Sequence, residues 1–226
     1  MPEGRGQAPG MQVGVGMGVE MEAICRIDAT WCAGPERYRY ATTRDLQPIG
    51  AMLSDPKVGQ WLWFAPMSAE GAIGYFRPLV EQQQAQLKVG ELPDAVCFSV
   101  DDAESGDFLG QGAIVAVAGS DRGFEIGFQL TQKASGRGVG TRLSHFLCSF
   151  GVQGLDAYRV QGACLAGNRA SAALLRNLGL QHEGTLVDYR VRDGVRHSEL
   201  RFGARVQALD LEAINARTVA LGLARV

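Results

Sequence analysis

The run Phe124-Glu125-Ile126-Gly127-Phe128-Gln129-Leu130 leads through a short polar segment into Ser135-Gly136-Arg137-Gly138-Val139-Gly140-Thr141. This stretch constrains the fold more than any other. An extended, half-apolar segment ends in a loop with glycine at alternate positions. Leu143, Phe146, Leu147 and Phe150 then follow the spacing of an amphipathic helix. Strand, glycine loop and helix in that order aim several backbone N–H groups at one point, where the helix start adds partial positive charge. Glycine lets a bulky anion approach the backbone closely. The loop reads as a pyrophosphate cradle that uses no lysine and needs no metal. A P-loop would end in Gly-Lys-Ser/Thr, whereas Gly140 is followed by Thr141-Arg142. A dinucleotide fingerprint would space its glycines differently. On the loop alone, a plain glycine turn before an ordinary helix is an equal reading.

The rest of the chain supplies the frame. Residues 36–42 alternate as a first strand, Thr43–Leu53 reads as a helix, and Ser68 opens a second helix carrying Ile73, Phe76, Val80 and Leu87. Strands are expected at Ala95–Val100, Phe108–Val117, Gly123–Leu130 and Tyr158–Leu165, and a helix at Ser171–Leu178. Two final strands, Thr185–Arg192 and Val195–Ala204, meet at Asp193-Gly194, a strong hairpin signal. The expected fold class is α/β, a mixed and mostly antiparallel sheet with helices on both faces. Residues 1–34 read as a flexible tail, 35–205 as the folded domain and 206–226 as a C-terminal helix.

A net charge of −2 argues against nucleic acid as the main partner. No run approaches the roughly 18 apolar residues of a membrane span. The five cysteines are scattered and unpaired in pattern, which suits a reducing cytoplasm and no metal site.

The order of motifs after the cradle is similar to that of the GNAT acyl-CoA N-acyltransferase superfamily, and most like its ribosomal-protein (Rim-type) N-terminal acetyltransferase branch. The matching pieces are Glu125-Ile126-Gly127-Phe128, the loop Gly136-Arg137-Gly138-Val139-Gly140, Asn168-Arg169-Ala170-Ser171, Leu178-Gly179-Leu180 and Glu183-Gly184. The resemblance is specific over about residues 120–205. It implies an N-acetyltransferase that moves an acetyl group from acetyl-CoA to a primary amine by direct attack in a ternary complex. The acceptor is a protein N-terminus or a small-molecule amine, and a homodimer is left open. The alternative is a catalytically weak CoA-binding regulatory or interaction protein.

Direct acetyl transfer needs a base for the ammonium, a donor for the oxyanion and a proton for the leaving thiolate. The resemblance places the oxyanion donors at the backbone of Gln129 and Leu130, and the CoA phosphates on Ser135 through Thr141. It sets Asn168 near the pantetheine arm and Ser171 near the sulfur as the thiolate's proton donor. Both also suit plain helix capping. Glu125, an acid within a mostly apolar strand, is the candidate base. Trp61, Trp63 and Phe64 fall in the segment that walls the family's acceptor pocket; anchoring a helix connection in the core is an equal reading. Ser135 stands where the family usually has Gln or Arg, and Ser198 where this branch often has Asp.

Overall fold

Strands Thr30–Ala33 (β1), Glu36–Tyr40 (β2), Ala95–Asp102 (β3), Phe108–Ala116 (β4), Gly123–Leu130 (β5), Arg159–Leu165 (β6), Gln181–Arg192 (β7) and Val195–Arg205 (β8) build one sheet. They do so in a computed structural model that describes residues 24–63 and 68–220. The strand order is β1-β2-β3-β4-β5-β6-β8-β7. Every neighbouring pair is antiparallel except β5 and β6, which run parallel.

Alternation along the strands sorts side chains onto two faces. Val96, Phe98 and Val100 of β3 face a core built with the helix Val139–Ser149 (α4), whose Leu143, Phe146 and Leu147 are all buried. The helices Arg169–Asn177 (α5) and Leu211–Ala220 (α6) add Leu175 and Ile214 to the same core. Cys97 of β3 faces the opposite side, where Leu46–Leu53 (α1) and Ala69–Lys88 (α3) pack Ile49, Leu53, Phe76 and Val80. A short turn of helix, Pro56–Gly59 (α2), follows α1. Ser68 caps α3 by accepting the Gly71 N–H at 3.0 Å. Buried Gln83 of α3 donates to the carbonyls of Ala41 and Cys97 and accepts the Cys97 N–H, which pins the helix to the sheet.

The expectation of a tail over residues 1–34 needs correction in its last third. Residues 1–23 lie outside the described residues. Beyond them, Ile24 and Cys25 are buried, the Tyr40 hydroxyl donates to the Ile24 carbonyl, and β1 pairs with β2. Trp31, only 6% exposed, stands edge-on to Tyr40 with ring centres 5.3 Å apart, and near Phe98, Phe146 and Phe150. Burial of Trp31, Ile24 and Cys25, together with the pairing of β1 with β2, ties this end of the segment to the sheet. At the other end, Val206–Ala208 is a tight 3₁₀ turn and α6 begins at Leu211; residues 221–226 of the expected helix lie outside the described residues.

Candidate active site

β5 makes different use of its two neighbours. Its pairing with β4 runs from Phe124 opposite Ala116 to Leu130 opposite Gly110. Its pairing with β6 stops at Glu125 opposite Gln161. Beyond that pair the two strands part, and a cleft opens.

Backbone direction alternates along β5, so a few bonds fix it throughout. The Val117 N–H meets the Gly123 carbonyl at 2.8 Å, and the Thr131 N–H meets the Leu109 carbonyl at 2.9 Å. Odd-numbered residues therefore turn their backbone groups to β4. The Arg159 N–H meets the Arg122 carbonyl at 3.3 Å, so even-numbered residues face β6. Past the last pair, the N–H groups of Phe128 and Leu130 point into the cleft. Of the two donors implied by the resemblance, Leu130 is on the cleft edge. Gln129 sends its N–H to β4, and the second N–H on the cleft edge is that of Phe128. The Gln129 side chain instead accepts a bond from Gln111 Nε2 at 2.8 Å and lines the cleft.

The glycine loop expected to hold pyrophosphate lies between β5 and α4. Gly136 and Gly138 adopt φ of 73° and 77°, the left-handed region that favours glycine. Gly138 caps α4, so the N–H groups of Val139, Gly140 and Thr141 have no partner within the helix. Gly140 has a different reason from the one expected. A Cβ there would lie 3.0 Å from Leu174 and 3.3 Å from Leu130, so this glycine lets α4 pack closely against its neighbours. Val139 has its side chain in the core, and only its backbone faces the loop. Ser135 lines a cavity of about 390 Å³ that runs from the loop along Leu130, Asn168 and Ser171 to Trp61. Arg137 is exposed, with a loose 3.4 Å contact to Asp102.

A second cavity, of about 190 Å³, adjoins the first and shares Phe128, Gln129, Asn168 and Ser171 with it. Asn168 Oδ1 accepts the Ser171 N–H at 3.0 Å, so the expected capping role is present. Both side chains also line both cavities. Cys164 stands beside Ser171 in the second cavity. Burial pushes its thiol up, against a smaller lowering by the Ser171 hydroxyl.

Glu125 opens into this second cavity too, but not among apolar groups. Its carboxylate accepts from Gln161 Nε2 at 3.0 Å and lies 3.7 Å from Arg201. Arg201 is also 2.6 Å from Glu199, which receives Arg190 Nε at 2.5 Å and is 1% exposed. The Arg190 guanidinium lies over the Trp63 ring at 4.4 Å and near Tyr189 at 4.7 Å. Sequence reasoning missed Arg190 and Arg201. The miss has a cause: β7 inserts two extra residues between Leu186, opposite Glu199, and Arg190, opposite His197. Asp188 takes φ of 51° there and its N–H is held by Ser198 Oγ at 3.2 Å. That bulge carries Arg190 to Glu199, and simple alternation does not reveal it.

Trp61 and Trp63 are 40% and 47% exposed. They line the cavities and do not anchor the core. Phe64, expected beside them, lies outside the described residues. Asp55, the nearby acid, caps α2 by accepting the Lys57 N–H at 2.9 Å and also accepts from Gln132 next to the cradle. Among the described residues, no group of three or more His, Cys, Asp or Glu side chains could hold a metal, and no helix is long and apolar enough to cross a membrane.

Residues 37–181 match the acetyltransferase (GNAT) domain family. The chain is 24% identical to an uncharacterized N-acetyltransferase, YoaA, of Bacillus subtilis over 157 residues, covering 69% of this chain and 85% of that one. Among solved structures it resembles Mycobacterium smegmatis RimJ in complex with a CoA-disulfide, with a TM-score of 0.67, 20% identity and coverage of 86% and 93%. It also resembles the ribosomal-protein-S5-alanine acetyltransferase of Vibrio fischeri, with a TM-score of 0.65, 17% identity and coverage of 79% and 97%. At such identities the structural likenesses establish the fold. The family match, the parted strands and the glycine cradle together place this chain in the GNAT family, as an acetyl-CoA-dependent N-acetyltransferase.

Proposed function

We propose that the chain acetylates the primary amine of a peptide N-terminus or a small molecule, with donor and acceptor entering from opposite cavities. The observation that carries this reading is the shared wall. Phe128, Gln129, Asn168 and Ser171 border both cavities at the point where β5 leaves β6. A thioester lying along β5 and an amine on the far side would meet there, which supplies proximity without a covalent enzyme intermediate.

Each residue then has a task. The cradle from Ser135 to Thr141 binds the pyrophosphate through backbone N–H groups, with exposed Arg137 adding charge. Asn168 orients the pantetheine arm. The N–H groups of Phe128 and Leu130 stabilise the oxyanion formed when the amine nitrogen bonds to the carbonyl carbon. Glu125 accepts the amine's proton. Ser171 gives its hydroxyl proton to sulfur as the C–S bond breaks and regains one, through solvent, from the newly acylated nitrogen as that nitrogen sheds its second proton. Trp61 and Trp63 wall the acceptor.

The acceptor cavity is lined by Glu125, Glu199 and Arg190, and Arg201, outside the lining, stands 3.7 Å from Glu125 and 2.6 Å from Glu199, so each carboxylate already faces an arginine. A polycation would find no spare carboxylate there, and Asp55 is committed to its helix cap. The reading therefore favours a peptide N-terminus or an amine with apolar or aromatic groups. Scattered free cysteines fit a reducing compartment, which we take to be the cytoplasm.

Release of free CoA thiol, followed over a panel of N-terminal peptides, arylalkylamines and polyamines, tests the activity. Peptides or arylalkylamines should turn over and polyamines should lag. CoA binding without turnover of any amine would favour a binding protein instead. Glu125→Gln should lower kcat and leave CoA affinity unchanged. A normal kcat in that variant would show that the proton leaves through water or another group.

A further inference from the structure

The cradle's peptide planes must be set before an anion arrives, and one side chain touches them from behind. Arg142 stands in the first turn of α4. Its Nη2 donates to the Arg137 carbonyl at 2.8 Å. Its Nε and Nη2 donate to the two carboxylate oxygens of Glu36 at 2.6 Å each, across 106 residues of sequence. Glu36 opens β2 and is 1% exposed.

We propose that Glu36 and Arg142 are positioning residues for the donor's pyrophosphate, an inference that rests on the acetyl-CoA reading above. A peptide bond is planar and trans, so fixing the Arg137 carbonyl toward Arg142 turns the Gly138 N–H the opposite way. That way leads from β2 toward the exposed side of the loop, where an anion can reach it. The strut also explains Gly138 a second time. Besides the φ of 77°, a Cβ there would come 2.7 Å from Arg142 Nη1.

The pair divides labour between two neighbouring arginines. Bonding to Glu36 holds the Arg142 guanidinium's pKa above its ordinary value, and its charge is already matched at close range. It shapes the loop and does not serve as the phosphate's counter-ion. Arg137, exposed and only loosely held by Asp102, is the cation left to meet phosphate. Two-point geometry matters here as well as charge, since a guanidinium fork can bind carboxylate and carbonyl together while a lysine ammonium cannot hold the same planes.

The test uses the full chain with CoA in calorimetry, and with acetyl-CoA and S-acetylpantetheine in steady-state assays. S-acetylpantetheine lacks the pyrophosphate. Arg142→Gln, Arg142→Lys and Glu36→Gln should each raise Kd for CoA and KM for acetyl-CoA about 10-fold, with kcat at saturating donor unchanged. Turnover of S-acetylpantetheine should match the wild type. If Glu36→Gln does not fold, the half-buried Arg142 variants carry the measurement. Normal CoA affinity in the variants overturns the inference, as does full rescue by Arg142→Lys or an equal loss with both donors. A wild-type protein that binds no CoA would remove the donor assignment itself, whereas normal wild-type binding beside indifferent variants removes only the strut.

Discussion

The edge of β5 that faces β4 and the edge that faces β6 belong to one backbone and end in opposite states. Toward β4 the ladder runs to Leu130, and toward β6 it stops at Glu125. The same contrast appears in two buried acid–arginine groups. Under the closed half, Arg39 lies between Asp45 and Asp101, with bonds of 2.7 and 2.8 Å. Beside the cleft, Glu199 lies between Arg190 and Arg201, yet Glu199 Oε1 and Arg201 Nε have no hydrogen-bond partner. The 2.6 Å approach of Arg201 to Glu199 is an ion contact without hydrogen-bond alignment. Buried polar atoms are nearly always bonded. Arg37 Nε, Tyr38 Oη, Gln86 Oε1 and Ser149 Oγ are also buried without a partner, away from the cleft; what sets the open half apart is that its unmatched atoms and its free backbone edge lie where two cavities meet.

If that division is real, substitutions on the two sides should fail differently. The largest effect is expected at the cradle. Gly138→Val must place a β-branched residue at positive φ and intrude on the anion's approach. It should abolish CoA binding in calorimetry while the cooperative unfolding transition survives; unchanged affinity in a folded variant would sink the cradle assignment. In the closed half, Phe98→Ala empties the centre of the aromatic cluster. It should cost about 4 kcal/mol in denaturant unfolding, with KM values close to normal in whatever fraction remains folded. A large change in KM there would show that the halves are coupled. Back at the cleft, Ser171→Ala should lower kcat about 100-fold with little change in CoA affinity. Normal kcat would leave Ser171 with its place in the helix cap alone. The smallest effect is expected from Trp63→Ala, which removes a cation–π contact with Arg190 worth about 1 kcal/mol. It should raise KM for the amine about 5-fold and leave KM for acetyl-CoA alone. Equal changes in both would mean that Trp63 holds the cleft open for donor and acceptor alike.

What the chain disclosed in advance was local. Strand, glycine loop and helix sit within 30 residues, and Asp193-Gly194 closes its hairpin with φ of 50° and 75°, as such a pair should. The remainder depended on pairing between distant segments. Which edge each N–H of β5 faces follows from register, so Gln129 and Phe128 could not be told apart from their own sequence. Arg190 reaches Glu199 only through a bulge. Glu36 and Arg142 meet across more than a hundred positions. Trp31 lies next to a glycine-rich stretch whose composition hid its burial.

The placement of the three tryptophans has an optical consequence. Trp31 is sealed among aromatic rings, while Trp61 and Trp63 face solvent at the mouth of the cleft. Emission from the first should be blue-shifted and track unfolding. Emission from the other two should be red-shifted, open to aqueous quenchers, and altered if an acceptor covers the rings. An iodide titration therefore separates the two populations without any label, and a Trp31-only variant would report on the sheet while remaining blind to ligand.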